Sequence, residues 1–126
     1  MDIERTNPDG MAPPKGYSHV VKTKDVVYIA GQVGLKPDGT LAGLDIESQA
    51  DQVYQNLQVA LSSVGAGFAD VHRINVFLTN REDWIAARAA RDKYFGNTPP
   101  ASTVVHIMGL PDPRFRIEVE LTASVV

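Results

Sequence analysis

A segment near the end of the chain alternates strictly between apolar and polar residues, and this alternation limits what the chain can fold into. From Phe115 to Thr122, apolar residues take every odd position and polar residues every even one. Successive side chains of a β-strand point to opposite faces of the sheet, so the segment predicts a strand with one buried and one polar face. The polar face would carry Arg116, Glu118, Glu120 and Thr122. The fold must therefore contain a sheet with two unlike faces.

Two stretches with helical periodicity lie between predicted strands. Apolar residues recur at three- and four-residue steps from Ile46 to Val64, which predicts an amphipathic helix with Asp45 as its N-cap. A shorter apolar band predicts a second helix from Asp83 to Phe95. Glycine and proline in residues 7–16 predict an extended N-terminal arm. The predicted strands are Tyr17–Lys22, Val26–Ala30, His72–Leu78, Ser102–Met108 and Phe115–Val125.

The element order ββαβαββ predicts one α+β domain over residues 1–126, a mostly antiparallel sheet with two helices on one face. Two helices cover only one face of such a sheet, so the other face must meet water or another subunit. Phe77, Val104 and Met108 are expected on that open face together with ionisable residues. A subunit interface that carries a polar pocket would explain this mixture. A solvated antiparallel face with scattered apolar residues would explain it too.

Charge and composition argue against several classes of protein. The net charge is −3, whereas a nucleic-acid binder usually has a basic excess on one face. The chain has no cysteine, which excludes disulfides and a thiol nucleophile. Its three histidines have no metal-ligand spacing, so no metal site is expected. A polar start and short apolar runs predict a cytoplasmic protein without contact to a membrane.

Nine short stretches along the chain carry a family pattern. They are Gly16–Val20, Val27–Val33, Gln55–Leu57, Val64–Ala66, Asp70–Val71, Val76–Thr79, Tyr94–Phe95, Pro100–Ala101 and Ile117–Glu120. In this order and at this spacing they resemble the RidA (YjgF) family from about Asn7 to Val126. The resemblance implies a chorismate-mutase-like fold and a homotrimer with ligand clefts between neighbouring subunits. It also implies hydrolysis of reactive enamines and imines, such as 2-aminoacrylate, without a metal or organic cofactor.

The resemblance also assigns expected roles to individual residues. Glu118 matches the glutamate that holds the hydrolytic water, Tyr17 matches a tyrosine that lines the cleft, and Gly31 matches a backbone position that approaches the ligand closely. In the deaminases of the family, an arginine that grips the substrate carboxylate follows the Pro-Ala pair. Here Ser102 and Thr103 follow that pair instead. Loss of such a charge-assisted contact costs roughly 1.5–3 kcal/mol, which argues against the usual small imino acids as substrates.

Two other positions depart from the family pattern and are expected to contact the ligand. His19 stands where glutamine is common, and Arg88 stands where asparagine is common. A plainer interpretation remains for several site residues. Glu118 could form an ion pair with Arg116 or Arg73, and Glu120 is expected to form a salt bridge between subunits.

Three functions follow from the resemblance. The first is a hydrolase of C=N or enamine bonds that acts on a compound larger than 2-aminoacrylate. The second is a non-catalytic sensor or scavenger of small metabolites that uses the same clefts of the trimer. The third is an endoribonuclease or translation inhibitor, which the acidic net charge disfavours.

Overall fold

The computed structural model describes residues 2–125 as a single mixed sheet with two helices. The strand order across the sheet is β1-β2-β3-β6-β4-β5. Every neighbouring pair is antiparallel except β4 and β5, which are parallel. The predicted α+β class is thus confirmed. The elements are β1 (Ile3–Thr6), β2 (Val20–Thr23), β3 (Val26–Gln32), α1 (Ile46–Ser62), β4 (Val71–Leu78), α2 (Trp84–Phe95), β5 (Ala101–His106) and β6 (Ile117–Ser124).

Strand β1 was not predicted, so the order ββαβαββ lacks its first strand. The strand pairs with β2 at the edge of the sheet, with Ile3 opposite Thr23 and Thr6 opposite Val20. Three of its four residues are exposed. An edge strand that buries almost nothing needs no alternation of apolar and polar residues, and its sequence therefore carries little signal.

Helix α1 begins and packs as its sequence pattern predicts. The Asp45 carboxylate accepts a hydrogen bond of 2.9 Å from the Ser48 N–H, as an N-cap does. The apolar stripe, including Ala50, Val53 and Leu57, is fully buried. The helix ends at Ser62, two residues before the predicted end.

Both helices lie on one side of the sheet, which leaves the Glu118 face without a helix. Helix α1 packs against β3 and β6, and α2 packs against α1. On β6 the residues that face the helices, Ile117 to Ala123 at every second position, are buried. Val104 lies opposite Val76 and packs against this core, so its expected position on the open face is wrong. The parallel register of β5 with β4 decided this orientation.

A β-bulge in β3 lies beside Glu118. Ile29 pairs with Leu121, whereas Gln32 pairs with Val119, so β3 contains one more residue than β6 over this interval. A bulge of this kind bends its strand and redirects side chains. It leaves Ala30 and Gly31 outside the regular pairing, directly next to the polar face of β6.

A polar network fixes the point where β6 begins. Arg116 donates hydrogen bonds of 2.6 and 3.0 Å to the two carboxylate oxygens of Asp83, whose side chain is 2% exposed. The Gln49 side chain accepts from the Arg116 N–H at 2.8 Å and donates to the Arg114 carbonyl at 2.9 Å. These bonds attach the start of β6 to α1 and to the residue before α2, and so help to position Glu118, two residues further on.

Candidate functional site

A cleft of about 700 Å³ opens on the side of the sheet that carries Glu118. Its walls come from the loop before β2, the bulge of β3 with the segment after it, and the loop before β6. Ten residues line it: Pro13, Lys15, Tyr17, Ala30, Gly31, Val33, Leu35, Pro111, Phe115 and Glu118. A concave, mostly apolar space with a few polar groups is the usual form of a small-molecule site.

Glu118 supplies the carboxylate of this cleft and has no internal partner. Within residues 2–125 its oxygens make no hydrogen bond and no salt bridge. The side chain is half-buried. Burial raises the pKa of the Glu118 carboxyl above its ordinary value, and the nearby negative charge of Glu120 raises it further. A carboxylate of this kind is suited to accept a proton.

The two arginines that could have neutralised Glu118 are engaged elsewhere. Arg116 forms the bidentate pair with Asp83. Arg73 on β4 donates a hydrogen bond of 2.9 Å to the Thr103 hydroxyl on β5, away from β6. The residue opposite Glu118 on β4 is the uncharged Phe77. The alternative interpretation of Glu118, an ion pair with Arg116 or Arg73, is therefore not realised within residues 2–125.

Gly31 allows the Glu118 carboxylate to lie against the backbone of β3. A Cβ atom at position 31 would lie 2.8 Å from the Glu118 Cδ and closer still to one carboxylate oxygen. Real Cβ atoms essentially never show such contacts. The backbone of Gly31 is not in the left-handed conformation that favours glycine. A glycine is needed at this position because a side chain would collide with the Glu118 carboxylate.

Tyr17 and His19 lie on the same side of the cleft but differ in exposure. Tyr17 lines the cleft, and 52% of it is exposed. His19 is buried and packs its ring edge-to-face against Tyr17, with 5.5 Å between ring centroids. The His19 Nε2 lies 2.7 Å from the Ala12 carbonyl oxygen, and Nδ1 lies 3.1 Å from the Gln32 amide nitrogen. A neutral ring that donates from Nε2 and accepts at Nδ1 satisfies both contacts.

The other predicted ligand residues lie outside this cleft in the single chain. Ser102 and Thr103 are exposed on β5, which is separated from β6 by β4. Arg88 is exposed on α2, with its guanidinium carbon 5.7 Å from the centre of the Trp84 ring. Glu120 is exposed opposite Asn75 of β4. The structure thus brings Glu118, Gly31 and Tyr17 together, places His19 behind them, and separates the rest.

Several cleft residues carry no recognisable signal in the sequence. Lys15, Pro13 and Pro111 lie in loops. Phe115, by contrast, was expected in the last strand on the face opposite Glu118, but β6 begins at Ile117 and Phe115 lines the same cleft as Glu118. They meet only because the loop before β2 and the loop before β6 end on the same side of the sheet.

The helices of the described range include none long and apolar enough to span a membrane. Residues 2–125 also contain no group of three or more His, Cys, Asp or Glu side chains placed to hold a metal ion.

The fold and the cleft together define a class of small α+β proteins with a cleft on the sheet face opposite two helices. The sequence model described as Endoribonuclease L-PSP matches residues 8–125. The chain belongs to this family, which is the RidA/YjgF family that the sequence pattern predicted.

Individual relatives agree with this assignment. A RutC family protein of Pyrococcus horikoshii is 32% identical over 108 residues, which cover 85% of each chain. A 2-iminobutanoate/2-iminopropanoate deaminase of Dermatophagoides farinae is 29% identical over 106 residues, covering 82% of this chain and 81% of the relative. A crystal structure of RidA from an Antarctic Psychrobacter bacterium superposes with a TM-score of 0.88 at 27% identity. That match covers 96% of this chain and 98% of the other.

Proposed function

We propose that the protein hydrolyses C=N or enamine bonds of small molecules in this cleft, without a cofactor. The observation that carries the proposal is Glu118, a half-buried and unpaired carboxylate with a raised pKa in a mostly apolar cleft. Burial of an unpaired charge is costly for a fold, so its presence is typical of a functional site. The deaminase name of one relative, from Dermatophagoides farinae, supports the same reaction class.

The chemistry needs one water molecule and one proton carrier. An enamine first tautomerises to its imine. The Glu118 carboxylate accepts a proton from water as the water oxygen forms a bond to the imine carbon, and the C=N bond becomes a C–N bond whose nitrogen takes up a proton from solvent. The carbinolamine then breaks its C–N bond. Glu118 returns its proton to the leaving nitrogen and the hydroxyl proton is lost, so that the products are a carbonyl compound and ammonia. Because its pKa is raised, the Glu118 carboxyl takes up and returns a proton more readily than an ordinary glutamate does.

The proposal includes a homotrimer in which a neighbouring subunit completes the cleft. Ser102 and Thr103 lie two strands from Glu118 in the same chain, so they would reach a cleft only in another copy. The chain also exposes large apolar residues, among them Tyr28 and Val105, which a neighbour would cover. Light scattering of the purified protein tests this: a monomer would contradict it.

The cytoplasm is the proposed compartment, since a chain without cysteine suits a reducing environment.

Turnover of imines generated in situ tests the reaction. An amino-acid oxidase produces 2-imino acids of graded size, and semicarbazide traps what the protein leaves. We expect the wild type to compete with the trap, Glu118→Ala to lose this activity, and Glu4→Ala, an exposed carboxylate on β1, to keep it. Ser102→Arg is expected to gain activity on the smallest imines. No acceleration over buffer with any imine would refute the hydrolase.

A sensor or scavenger that uses the same cleft is the second candidate. The mostly apolar lining favours it, because apolar walls can bind a small molecule by themselves. A protein that only binds its ligand needs no catalytic carboxylate. Ligand affinity that survives in Glu118→Ala, together with an absence of turnover in the wild type, would establish it. Endoribonuclease activity, which the family name suggests, is tested by prolonged incubation with RNA, and intact RNA would exclude it.

A further inference from the structure

The cleft has one positive and one negative side chain among its ten lining residues. Lys15 is the cation and Glu118 is the anion. Seven of the other residues are apolar or aromatic and the eighth is Gly31: Pro13, Tyr17, Ala30, Val33, Leu35, Pro111 and Phe115 complete the set. The part of the cleft that this chain supplies therefore suits a ligand with an apolar part and a negative charge.

Lys15 is available to a ligand. None of the salt bridges and side-chain hydrogen bonds of the described range involves its ammonium group, and the residue is exposed at the cleft. It is also separate from Glu118, since no nitrogen-oxygen pair between them lies within 4.0 Å. An ammonium without an internal partner attracts anions, and it does so more strongly beside apolar walls than in open water.

The loop that carries Lys15 is held in place on both sides. Before it, the Ala12 carbonyl lies 2.7 Å from the His19 Nε2. After it, the His19 N–H donates to the Asn7 side chain at 2.9 Å, and the Ala30 N–H donates to the His19 carbonyl at 2.9 Å. These bonds fix the attachment point of Lys15 relative to β3. His19 thus acts on the cleft through this loop.

We infer that Lys15 is the specificity-determining anion contact of the cleft and that the ligands are monocarboxylates with a large apolar substituent. The inference rests on the proposed function for the site and sharpens its substrate class. The apolar walls that this chain contributes to the cleft give a large side chain of the ligand a surface against which it is buried. A second carboxylate on the ligand would be repelled by the negative charge of Glu118, so dicarboxylates are disfavoured.

Equilibrium binding of stable 2-oxo acids tests the inference without any turnover. Isothermal titration compares phenylpyruvate, its methyl ester, pyruvate and 2-oxoglutarate. The wild type should bind phenylpyruvate more tightly than the other three. Lys15→Met should weaken phenylpyruvate binding about 10- to 100-fold and leave the ester unchanged, because only the acid has the charge that Lys15 contacts. Lys15→Arg should retain most of the affinity.

Lys22→Met on β2 is the matched control, since it removes the same charge from a residue outside the cleft. It should bind phenylpyruvate like the wild type. Equal loss in both variants would refute a specific contact, as would unchanged affinity in Lys15→Met, tighter binding of pyruvate, or no binding of any 2-oxo acid.

The binding measurements on Lys15 variants and the turnover measurements on imines can fail independently of each other. If imines are hydrolysed and Lys15→Met binds normally, the hydrolase stands and the anion contact falls. If no imine is hydrolysed but Lys15→Met loses phenylpyruvate, the contact stands and the protein is a binder rather than an enzyme.

Discussion

Replacing Gly31 by alanine tests whether the position of the Glu118 carboxylate, and not only its presence, determines activity. The added Cβ would lie 2.8 Å from the Glu118 Cδ, whereas an ordinary contact is at least 3.4 Å. The carboxyl group must therefore move by about 0.6 Å, and more at the nearer oxygen. Because a misplacement of about 1 Å can cost roughly 100-fold in rate, we expect kcat/KM on an imine to fall about 10- to 100-fold.

The fold should tolerate this change. Gly31 does not adopt a positive φ, so alanine fits its backbone. Two of the three nearest atoms, Oε2 and Cδ, belong to the far end of the flexible Glu118 side chain, which can turn toward the open cleft. The third, Cγ at 3.0 Å, must shift by a few tenths of an ångström. Alanine also restricts the unfolded chain, worth about 0.4–1 kcal/mol in favour of the folded state. We therefore expect an unchanged or slightly higher Tm, measured by circular dichroism, together with the loss of activity.

A second substitution distinguishes displacement of the carboxylate from other effects of the methyl group. Glu118→Asp removes one methylene, so the carboxyl carbon takes the place of the Glu118 Cγ, 3.0 Å from the added Cβ, and the contact is relieved in part. In that background, Gly31→Ala should cost less than it does in the wild type, a coupling expected for residues in direct contact. Gly67→Ala is the control, since Gly67 has an extended φ of −139° and no atom within 4 Å of the place where a Cβ would be added. Wild-type kcat/KM in Gly31→Ala, or an equal loss in both backgrounds, would refute the reasoning.

Three further predictions concern charge and packing. Glu120→Gln removes a negative charge that raises the pKa of Glu118, so the acidic limb of the kcat/KM profile should shift to lower pH, and an unmoved limb would argue against this coupling. Asp83→Ala leaves Arg116 without its partner and should cost about 3 kcal/mol, or about 10 °C in Tm at fixed protein concentration; a loss below about 3 °C would mean that the pair contributes little. Tyr54→Phe should keep or raise the stability measured by urea and thermal unfolding, because the hydroxyl of Tyr54 is buried without a partner in residues 2–125. A fall of more than about 1 kcal/mol in the free energy of unfolding would mean that the hydroxyl has a partner.

The helices and the last strand were the most predictable parts of the fold. Their apolar residues must face a core, so periodicity in the sequence indicates both the element and its buried face. Helix α1 and its cap Asp45 illustrate this, as does the alternation from Ile117 to Ser124. Strand β1 lay beyond such reasoning because it contributes hydrogen bonds rather than buried surface.

The site was predictable only where the family pattern reached it. Glu118, Gly31 and Tyr17 belong to the matching stretches, and they line one cleft. Lys15 has no such signal, since a lysine in a proline-rich loop looks the same whether it faces solvent or a cleft. His19 was expected to contact a ligand, yet it is buried, with both ring nitrogens bonded within the protein.

The residues of β6 alone establish that the strand has an apolar and a polar face and that Glu118 lies on the polar one, because alternation is a local property of an extended chain. The surroundings of that carboxylate depend instead on the tertiary structure. The strand order lets Arg73 on β4 bind Thr103 on β5, while the bulge in β3 brings Gly31 against Glu118. The burial of Glu118 and its lack of a charged partner both depend on which distant segments meet. Burial raises the pKa of Glu118, and the lack of a partner leaves its carboxylate free to react.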